Sequence, residues 1–330
     1  MPSSPGPESA TVVRRSGWRA VVGSLWVAAA VVCAILSRGS LLASHPAYAV
    51  TLISVCVVGL LLIVTGRQWV PADRPRHPVA TVVGRVAGVV VTVLVLGLIG
   101  YLVPLTAAPE AVAAMADDAD VRVESSPTRI VLTPRAPPRA GLVFLPGGKV
   151  DPRAYVPLLR QVSAAGYLVV VVKVPYDIGF LATGEPARVV AATPGVTRWA
   201  VGGHSLGGVA AGAAVSSRDS GLSGLLLWAS YPLESLADRS DLVVASVSGT
   251  ADALTTPADV SESRTSLPAS TVFTAVEGGI HGYFGDYGNQ PGDGSPGVER
   301  SIAQQQIVAA TTAFLAAVAA GPKPVNAAWR

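Results

Sequence analysis

The sequence predicts an α/β fold, built on a mostly parallel sheet flanked by helices and preceded by three transmembrane helices. The first supporting observation is that the long uncharged runs lie in the first third of the 330 residues. The second is that short β-branched runs alternate with Ala- and Gly-rich helical stretches after residue 120. Uninterrupted apolar strands in such an alternation are typical of a parallel sheet that helices cover on both faces.

The membrane prediction comes from composition. The chain is 50% hydrophobic and only 14% charged, and its mean hydropathy of +0.50 is too high for an ordinary soluble protein. Three runs contain no Lys, Arg, Asp or Glu: residues 20–37, 39–66 and 86–109. Each can contain the roughly 20 apolar residues that a membrane-spanning helix needs. The predicted organisation is a disordered N-terminus (1–17), a membrane domain with three spans (18–109), a linker (110–120) and an α/β domain (121–330).

The distribution of charge excludes nucleic acid as a partner. The sequence pI near 9.0 is typical of nucleic-acid-binding proteins, but the basic residues are unevenly placed. Residues 1–116 carry a net charge of +5, whereas residues 117–330 carry −2. Because the arginines belong to the membrane region, no basic face is left on the α/β domain to bind a phosphate backbone.

The arginines also predict the orientation in the cell membrane. Three precede the first span, one lies between the first and second spans, and four lie between the second and third. Since positive charge near helix ends is retained in the cytoplasm, we expect a cytoplasmic N-terminus and an extracytoplasmic α/β domain. Alternatively, the first span is a secretion signal with Ala47-Tyr48-Ala49 as its cleavage site, which leaves the domain on the same side.

A candidate nucleophile lies in the stretch "WAVGGHSLGGVAAG". Gly203-His204-Ser205-Leu206-Gly207 has the G-x-S-x-G spacing of a nucleophile elbow, between an apolar strand and a helix of small residues. Such a turn needs glycines for close backbone approach and lifts the serine hydroxyl clear. We therefore predict Ser205 as the nucleophile and expect the side chain of His204 to point away from it.

A serine hydroxyl needs a base, and the base needs a carboxylate. Three of the four histidines flank a span or lie inside the motif, which leaves His281 in a glycine-rich loop after the last apolar strand. Asp252 follows another strand and is the preferred acid, with Asp259 and Glu277 as alternatives. The resulting order of Ser, Asp and His along the chain is that of α/β-hydrolases.

Two further sets of residues complete the predicted site. The oxyanion hole is expected to combine the amide of Leu206 with an amide from the turn in "FLPGGKVD", where Gly148 is preferred and Gly147 or Lys149 is possible. Aromatic residues near strand ends are candidates to line the substrate pocket, with core packing as an equal alternative for the first of them: Trp228, Tyr283 and Phe284.

Several segments together resemble the α/β-hydrolase fold-5 family of bacterial serine hydrolases: "FLPGGKVDPRAY", "GYLVVVVKVP", "WAVGGHSLGG", "SGTAD" and "HGYFGDYGNQPGDG". The resemblance covers about residues 142–315 and leaves out the three spans. It implies Ser205 as nucleophile, Asp252 as acid and His281 as base. One departure is Ile280, because the family often has Asn before the histidine.

The predicted function is that of a membrane-anchored serine hydrolase that cleaves small or lipid-like esters through an acyl-enzyme. No metal or organic cofactor is implied, since Cys33 and Cys56 lie inside predicted spans. An acyltransferase with the same triad and a non-catalytic, hydrolase-like binding module are the alternatives. A transporter is disfavoured because the predicted spans contain no charged residue.

Overall fold

The computed structural model describes residues 13–15, 17–67, 69–71 and 78–321. The chain forms two compact units, Met1–Arg38 with Ala49–Val103, and Gly39–Tyr48 with Pro104–Arg330. The prediction of disorder for residues 1–17 lies outside the described residues, apart from Gly17 and strand β1 (Val13–Arg15), which pairs antiparallel with β2 (Trp69–Pro71).

Three long apolar helices dominate the first unit: α1 (Gly17–Leu36), α3 (Ala47–Gly66) and α4 (Pro78–Tyr101). Each is long and apolar enough to cross a membrane, and the three correspond to the predicted spans. Many large apolar side chains on them are exposed, as lipid-facing residues are. Inside the unit, the indole N–H of Trp26 donates to Thr92 Oγ1 at 3.2 Å, which satisfies a polar group away from water.

An eight-stranded sheet forms the centre of the second unit, in the order β10-β9-β8-β7-β5-β6-β4-β3. The strands are β3 (Val121–Ser125), β4 (Arg129–Pro134), β5 (Gly141–Leu145), β6 (Leu168–Val172), β7 (Trp199–His204), β8 (Gly224–Trp228), β9 (Val243–Gly249) and β10 (Val272–Val276). All neighbours pair parallel except β3 with β4 and β4 with β6. The predicted α/β class with a mostly parallel sheet is confirmed.

Helices cover both faces of the sheet, so the interior strands are buried throughout. The helices are α2 (Arg38–Ala43), α5 (Pro109–Ala113), α6 (Val156–Ala164), α7 (Glu185–Ala191), α8 (Leu206–Ala214), α9 (Pro257–Ser263) and α10 (Arg300–Ala320). Successive side chains of a strand point to opposite faces, and Val143 and Phe144 of β5 accordingly belong to separate apolar clusters.

Helix α10 also has the length and apolarity of a membrane span, but its residues belong to the second unit. Ile307 and Leu315 are fully buried and lie in the same apolar cluster as strand residues. Packing against the sheet therefore accounts for its apolar face.

The segment predicted as a linker differs from the expectation. Residues 110–120 include most of α5, whose Ala111 is fully buried in the core of the second unit. The backbone just before α5 is also fixed, since Ala108 N–H donates to Asp286 C=O at 2.8 Å and Leu105 C=O accepts from Asp151 N–H at 3.0 Å. Short Ala- and Pro-rich sequence gives no periodic signal of this packing.

Candidate active site

The predicted catalytic residues lie at one edge of the sheet. Ser205 directly follows β7, Asp252 comes three residues after β9, and His281 comes five residues after β10. Gly148 follows β5, the neighbour of β7 in the sheet. Because these strands are parallel, their carboxyl ends meet at the same edge, and residues distant in sequence come together there.

Ser205 occupies a strained turn. Its φ of 52° and ψ of −123° place a non-glycine residue in a sparsely populated region, which costs about 1–3 kcal/mol unless the surroundings hold it. The surroundings do so through two hydrogen bonds. The Ser205 N–H donates to Trp228 C=O at 2.9 Å, and the Ser205 C=O accepts from Ser230 Oγ at 2.7 Å. The predicted nucleophile is therefore held in a strained conformation, as a nucleophile elbow requires.

The space at two glycines of the motif is too small for a side chain. A Cβ atom on Gly203 would lie 2.6 Å from the Gly208 nitrogen, and one on Gly207 would lie 2.7 Å from the Leu145 carbonyl carbon. Both contacts are with backbone atoms, which cannot move aside. The G-x-S-x-G spacing therefore results from the close approach of α8 to β5 and β7, which leaves room only for glycine.

His281 and Asp252 form a buried pair. His281 Nδ1 lies 2.9 Å from Asp252 Oδ2, and the two side chains are 1% and 0% exposed. The other carboxylate oxygen accepts two amide N–H groups, from Leu254 and Thr255, at 2.8 Å each. These bonds fix the carboxylate, so that it holds the imidazole with Nδ1 as donor.

The second ring nitrogen of His281 is free to act as a base. Nε2 is buried and, among the described residues, has no hydrogen-bond partner, so Ser205 Oγ is not bonded to it in this structure. Such contacts are often loose without substrate. The two alternative acids lie elsewhere: Asp259 caps α9 together with Thr256, and Glu277 is exposed.

A neighbouring carboxylate positions the histidine loop. Asp293 accepts the backbone N–H of His281 at 3.1 Å and that of Gly282 at 2.7 Å. Arg300 at the start of α10 donates to the C=O groups of Gly282 and Gly285, each at 2.8 Å. Sequence reasoning did not single out Asp293, although it lies in the quoted "FGDYGNQPGDG" segment.

A second histidine, His204, packs against His281 with ring centroids 4.5 Å apart. It is fully buried, and burial together with the nearby His281 lowers its pKa well below the ordinary value. The Tyr155 hydroxyl accepts the Gly147 N–H at 2.9 Å, which leaves its proton to donate to His204 Nδ1 at 3.0 Å. Sequence reasoning missed Tyr155, because nothing local marks a contact between residues 49 positions apart.

Two amides near Ser205 remain the candidates for an oxyanion hole. Gly147 C=O accepts Val150 N–H at 3.1 Å, and in a trans peptide the Gly148 N–H then points the opposite way. Leu206 is the first residue of α8, so its N–H has no acceptor within the helix. The two residues are adjacent, since a Cβ atom on Gly148 would lie 3.3 Å from Leu206 Cδ2.

The three aromatic candidates for the substrate pocket have different environments. Trp228 is fully buried, and its indole N–H donates to Thr311 Oγ1 at 3.0 Å, which favours the core-packing alternative. Phe284 is also fully buried and stacks on His204. Tyr283 instead lines a cavity of about 380 Å³ beside the histidine loop, together with Gly282, Asp293 and Arg300.

Within the described part of the chain, no group of three or more His, Cys, Asp or Glu side chains could hold a metal ion. Cys33 of α1 and Cys56 of α3 are free thiols.

A strained serine, a carboxylate-bound histidine and this strand order define the class of α/β-hydrolases. Residues 141–306, half of the chain, match the model of the Alpha/beta hydrolase family, and the chain belongs to that family. The resemblance deduced from the sequence is thereby confirmed.

Solved structures are similar to this chain at low sequence identity. A protein described as a predicted CIB-like hydrolase from Thermoplasma acidophilum is 16% identical, with a TM-score of 0.45 over 59% of this chain and 98% of that chain. Carboxyl esterase 2 from Tuber melanosporum is 14% identical, with a TM-score of 0.44 over 62% of this chain and 88% of that chain. No curated protein sequence matches the chain.

Proposed function

We propose that this hydrolase is a membrane-anchored serine esterase with Ser205, His281 and Asp252 as its catalytic triad. The observation that carries the proposal is the buried 2.9 Å contact between His281 Nδ1 and Asp252 Oδ2, which leaves Nε2 free at the edge where Ser205 occupies a strained turn. An activated serine requires this combination of nucleophile, base and orienting acid.

The reaction begins when Ser205 Oγ attacks the ester carbonyl carbon and its proton passes to His281 Nε2. The Asp252 carboxylate stabilises the imidazolium, and the amides of Leu206 and Gly148 stabilise the oxyanion of the tetrahedral intermediate. Collapse of this intermediate expels the alcohol, which takes the proton from Nε2. Water then attacks the acyl-enzyme with His281 as base, releases the carboxylic acid and restores the Ser205 hydroxyl.

The substrate class follows from the access to the site and from the apolar helices. The connection between β8 and β9 is only 14 residues long, which is too short for an inserted lid domain. We expect small or lipid-like esters, and we expect Tyr283 to lie nearest the substrate of the three aromatic candidates, because it lines a cavity although it is only 9% exposed. The three apolar helices anchor the enzyme in the cell membrane, with the catalytic unit outside the cytoplasm as the arginine positions predict.

A fluorophosphonate probe tests this proposal, because such probes label activated serines. Full-length wild-type enzyme in detergent should be labelled stoichiometrically at Ser205 and should hydrolyse short p-nitrophenyl esters. Ser205→Ala should abolish both, whereas Ser301→Ala, at an exposed serine of α10, should leave both unchanged. A folded wild type that is not labelled would contradict the proposal, and acyl transfer without hydrolysis would favour the acyltransferase.

Orientation is tested separately with intact cells whose outer layer is permeable. An added protease should reach the chain after residue 117, whereas the arginine-rich stretch of residues 67–85 should stay protected. Protection of the catalytic unit would contradict the extracytoplasmic location and leave the triad unaffected.

A further inference from the structure

The segment Gly39–Tyr48, which joins the first two spans and is called here the first loop, belongs to the catalytic unit. Its last residue, Tyr48, is only 1% exposed. The Tyr48 hydroxyl donates to Asp177 Oδ2 at 2.6 Å, and its ring meets that of Tyr176 edge-on at 5.7 Å. The first loop thus binds two consecutive residues of the segment that follows β6.

Those two residues form a strained turn, called here the Tyr176–Asp177 turn. Tyr176 has a φ of 56° and Asp177 a φ of 52°, so two successive non-glycine residues adopt the left-handed conformation. Such strain persists only where surrounding contacts hold it, and it collects at functional sites. Tyr48 contacts both strained residues.

The Tyr176–Asp177 turn lies beside the proposed oxyanion hole. The Asp177 carbonyl oxygen is 4.0 Å from the position of a Cβ atom on Gly148. Two residues further on, a Cβ atom on Gly179 would lie 3.4 Å from the Leu206 carbonyl oxygen. The segment held by Tyr48 therefore lies beside both residues whose amides would bind the oxyanion.

The first loop also lies near the residues that follow the turn of Gly147 and Gly148, called here the oxyanion turn. A Cβ atom on Gly39 would lie 3.8 Å from Nη2 of Arg153. Arg153 forms a 2.7 Å ion pair with the fully buried Asp151, which follows the "PGGKV" turn directly. The first loop thus lies near residues on both sides of Gly148.

From these contacts we propose that Tyr48 is a positioning residue: by holding the Tyr176–Asp177 turn, it fixes the Gly148 and Leu206 amides in the geometry that stabilises the oxyanion. The inference rests on the proposed serine hydrolase function. It gives the first loop a role in positioning the oxyanion donors, in addition to connecting two spans.

The contact is independent of the protonation state of Asp177. Burial raises the pKa of Asp177 to about 7, the Tyr48 hydrogen bond opposes this, and the nearby Asp151 adds to it. Either form of the carboxyl group keeps an oxygen that accepts the Tyr48 hydroxyl. We therefore expect the positioning effect to persist on both sides of neutral pH.

The test compares two Tyr→Phe variants of the full-length enzyme, with ester turnover normalised to the fluorophosphonate titre. Tyr48→Phe should lower kcat about tenfold and leave KM within about twofold, because misplaced oxyanion donors weaken transition-state binding. Tyr167→Phe is the matched control. Its hydroxyl is buried and bonds nothing within the described residues, so kcat should stay within about twofold of wild type.

Substitutions of Asp177, which accepts the Tyr48 hydroxyl, test whether this hydrogen bond causes the effect. Asp177→Asn keeps an acceptor oxygen and should lower kcat about twofold, against about tenfold for Asp177→Ala. The double variant Tyr48→Phe/Asp177→Ala should lose no more than either single variant. Losses that multiply, or a wild-type kcat in Tyr48→Phe, would overturn the positioning role while leaving the triad intact. A wild type that fluorophosphonate does not label would instead overturn the proposed function.

The mass of the mature enzyme provides a second test that needs no variant. Active enzyme purified from membranes should retain its first 49 residues, and with them Tyr48. If the active enzyme began at Val50, after cleavage at Ala47-Tyr48-Ala49, Tyr48 would be absent from it and the positioning role would be excluded.

Discussion

Two histidines lie side by side at the candidate active site, and their hydrogen-bond partners differ in chemistry. His281 and His204 are both buried, and their ring centroids are 4.5 Å apart. His281 is paired with the Asp252 carboxylate, whereas His204 meets the hydroxyl of Tyr155. A carboxylate stabilises an imidazolium, but a donated hydroxyl proton stabilises only the neutral ring. Both rings are buried, and only His281 of the two has a carboxylate partner that would stabilise its protonated form, so His281 is the one suited to be the base.

The contrast also explains why a neutral His204 is useful. If both rings carried a proton, two buried positive charges would repel each other at close range. Burial and the proximity of His281 keep the pKa of His204 low, so we expect His204 to stay neutral. We infer that His204 supports the site by shape and by its hydrogen bond to Tyr155.

The largest effect should come from the base. His281→Ala removes the proton acceptor, and we expect kcat for ester hydrolysis to fall by about 10⁴-fold or more. Thermal unfolding of the detergent-solubilised variant provides the control for folding. A folded His281→Ala enzyme with more than about a tenth of wild-type activity would show that another group is the base.

The carboxylate comes next. Asp252→Asn keeps the shape of the side chain but removes the charge that stabilises the imidazolium, so kcat should fall by about 10⁴-fold. Asp259→Asn is the matched control, because its carboxylate caps α9 at Thr256, and kcat should stay within about twofold. The opposite result would transfer the role of the acid to Asp259.

A smaller effect is expected at His204. His204→Leu deprives the Tyr155 hydroxyl of its acceptor, and that hydroxyl in turn holds Gly147 of the oxyanion turn. We expect kcat to fall about tenfold with KM nearly unchanged. His204→Asn, which offers an acceptor near the position of Nδ1, should lose less activity. Equal losses in the two variants would show that packing alone matters.

The smallest expected effect concerns stability. Because the folded protein holds the pKa of His204 below its ordinary value, the unfolded chain binds a proton below about pH 6.5 that the folded chain does not. Wild type should therefore lose stability relative to His204→Asn as the pH falls below 6.5, by at most about 1.4 kcal/mol per pH unit. Parallel curves of unfolding temperature against pH would contradict this.

Much of the fold and of the candidate site could be predicted because the signals are local. The interior strands are uninterrupted apolar runs, and the glycines around Ser205 mark a close approach that any side chain would block. Parallel strands bring Asp252 and His281 to the same edge as Ser205, so their place after a strand was enough to select them.

Other features of the site could not be predicted, because they depend on contacts between residues far apart in the sequence, which leave no local pattern. Tyr48 and Asp177 are 129 residues apart, and no periodicity relates a loop between spans to a turn after β6. The sequence also does not show whether an aromatic residue near a strand end is buried. The three aromatic candidates, Trp228, Tyr283 and Phe284, are all buried in one apolar cluster, and Tyr283 also lines the cavity beside the histidine loop.

The central claim is that His281, and not its neighbour, activates Ser205. The most direct measurement is the second-order rate constant with which a fluorophosphonate labels Ser205 in His281→Ala and in His204→Leu. We expect the first variant to react about 10⁴-fold more slowly than wild type and the second only about tenfold more slowly. Equal rates in the two variants, or a slower reaction in His204→Leu, would contradict the account.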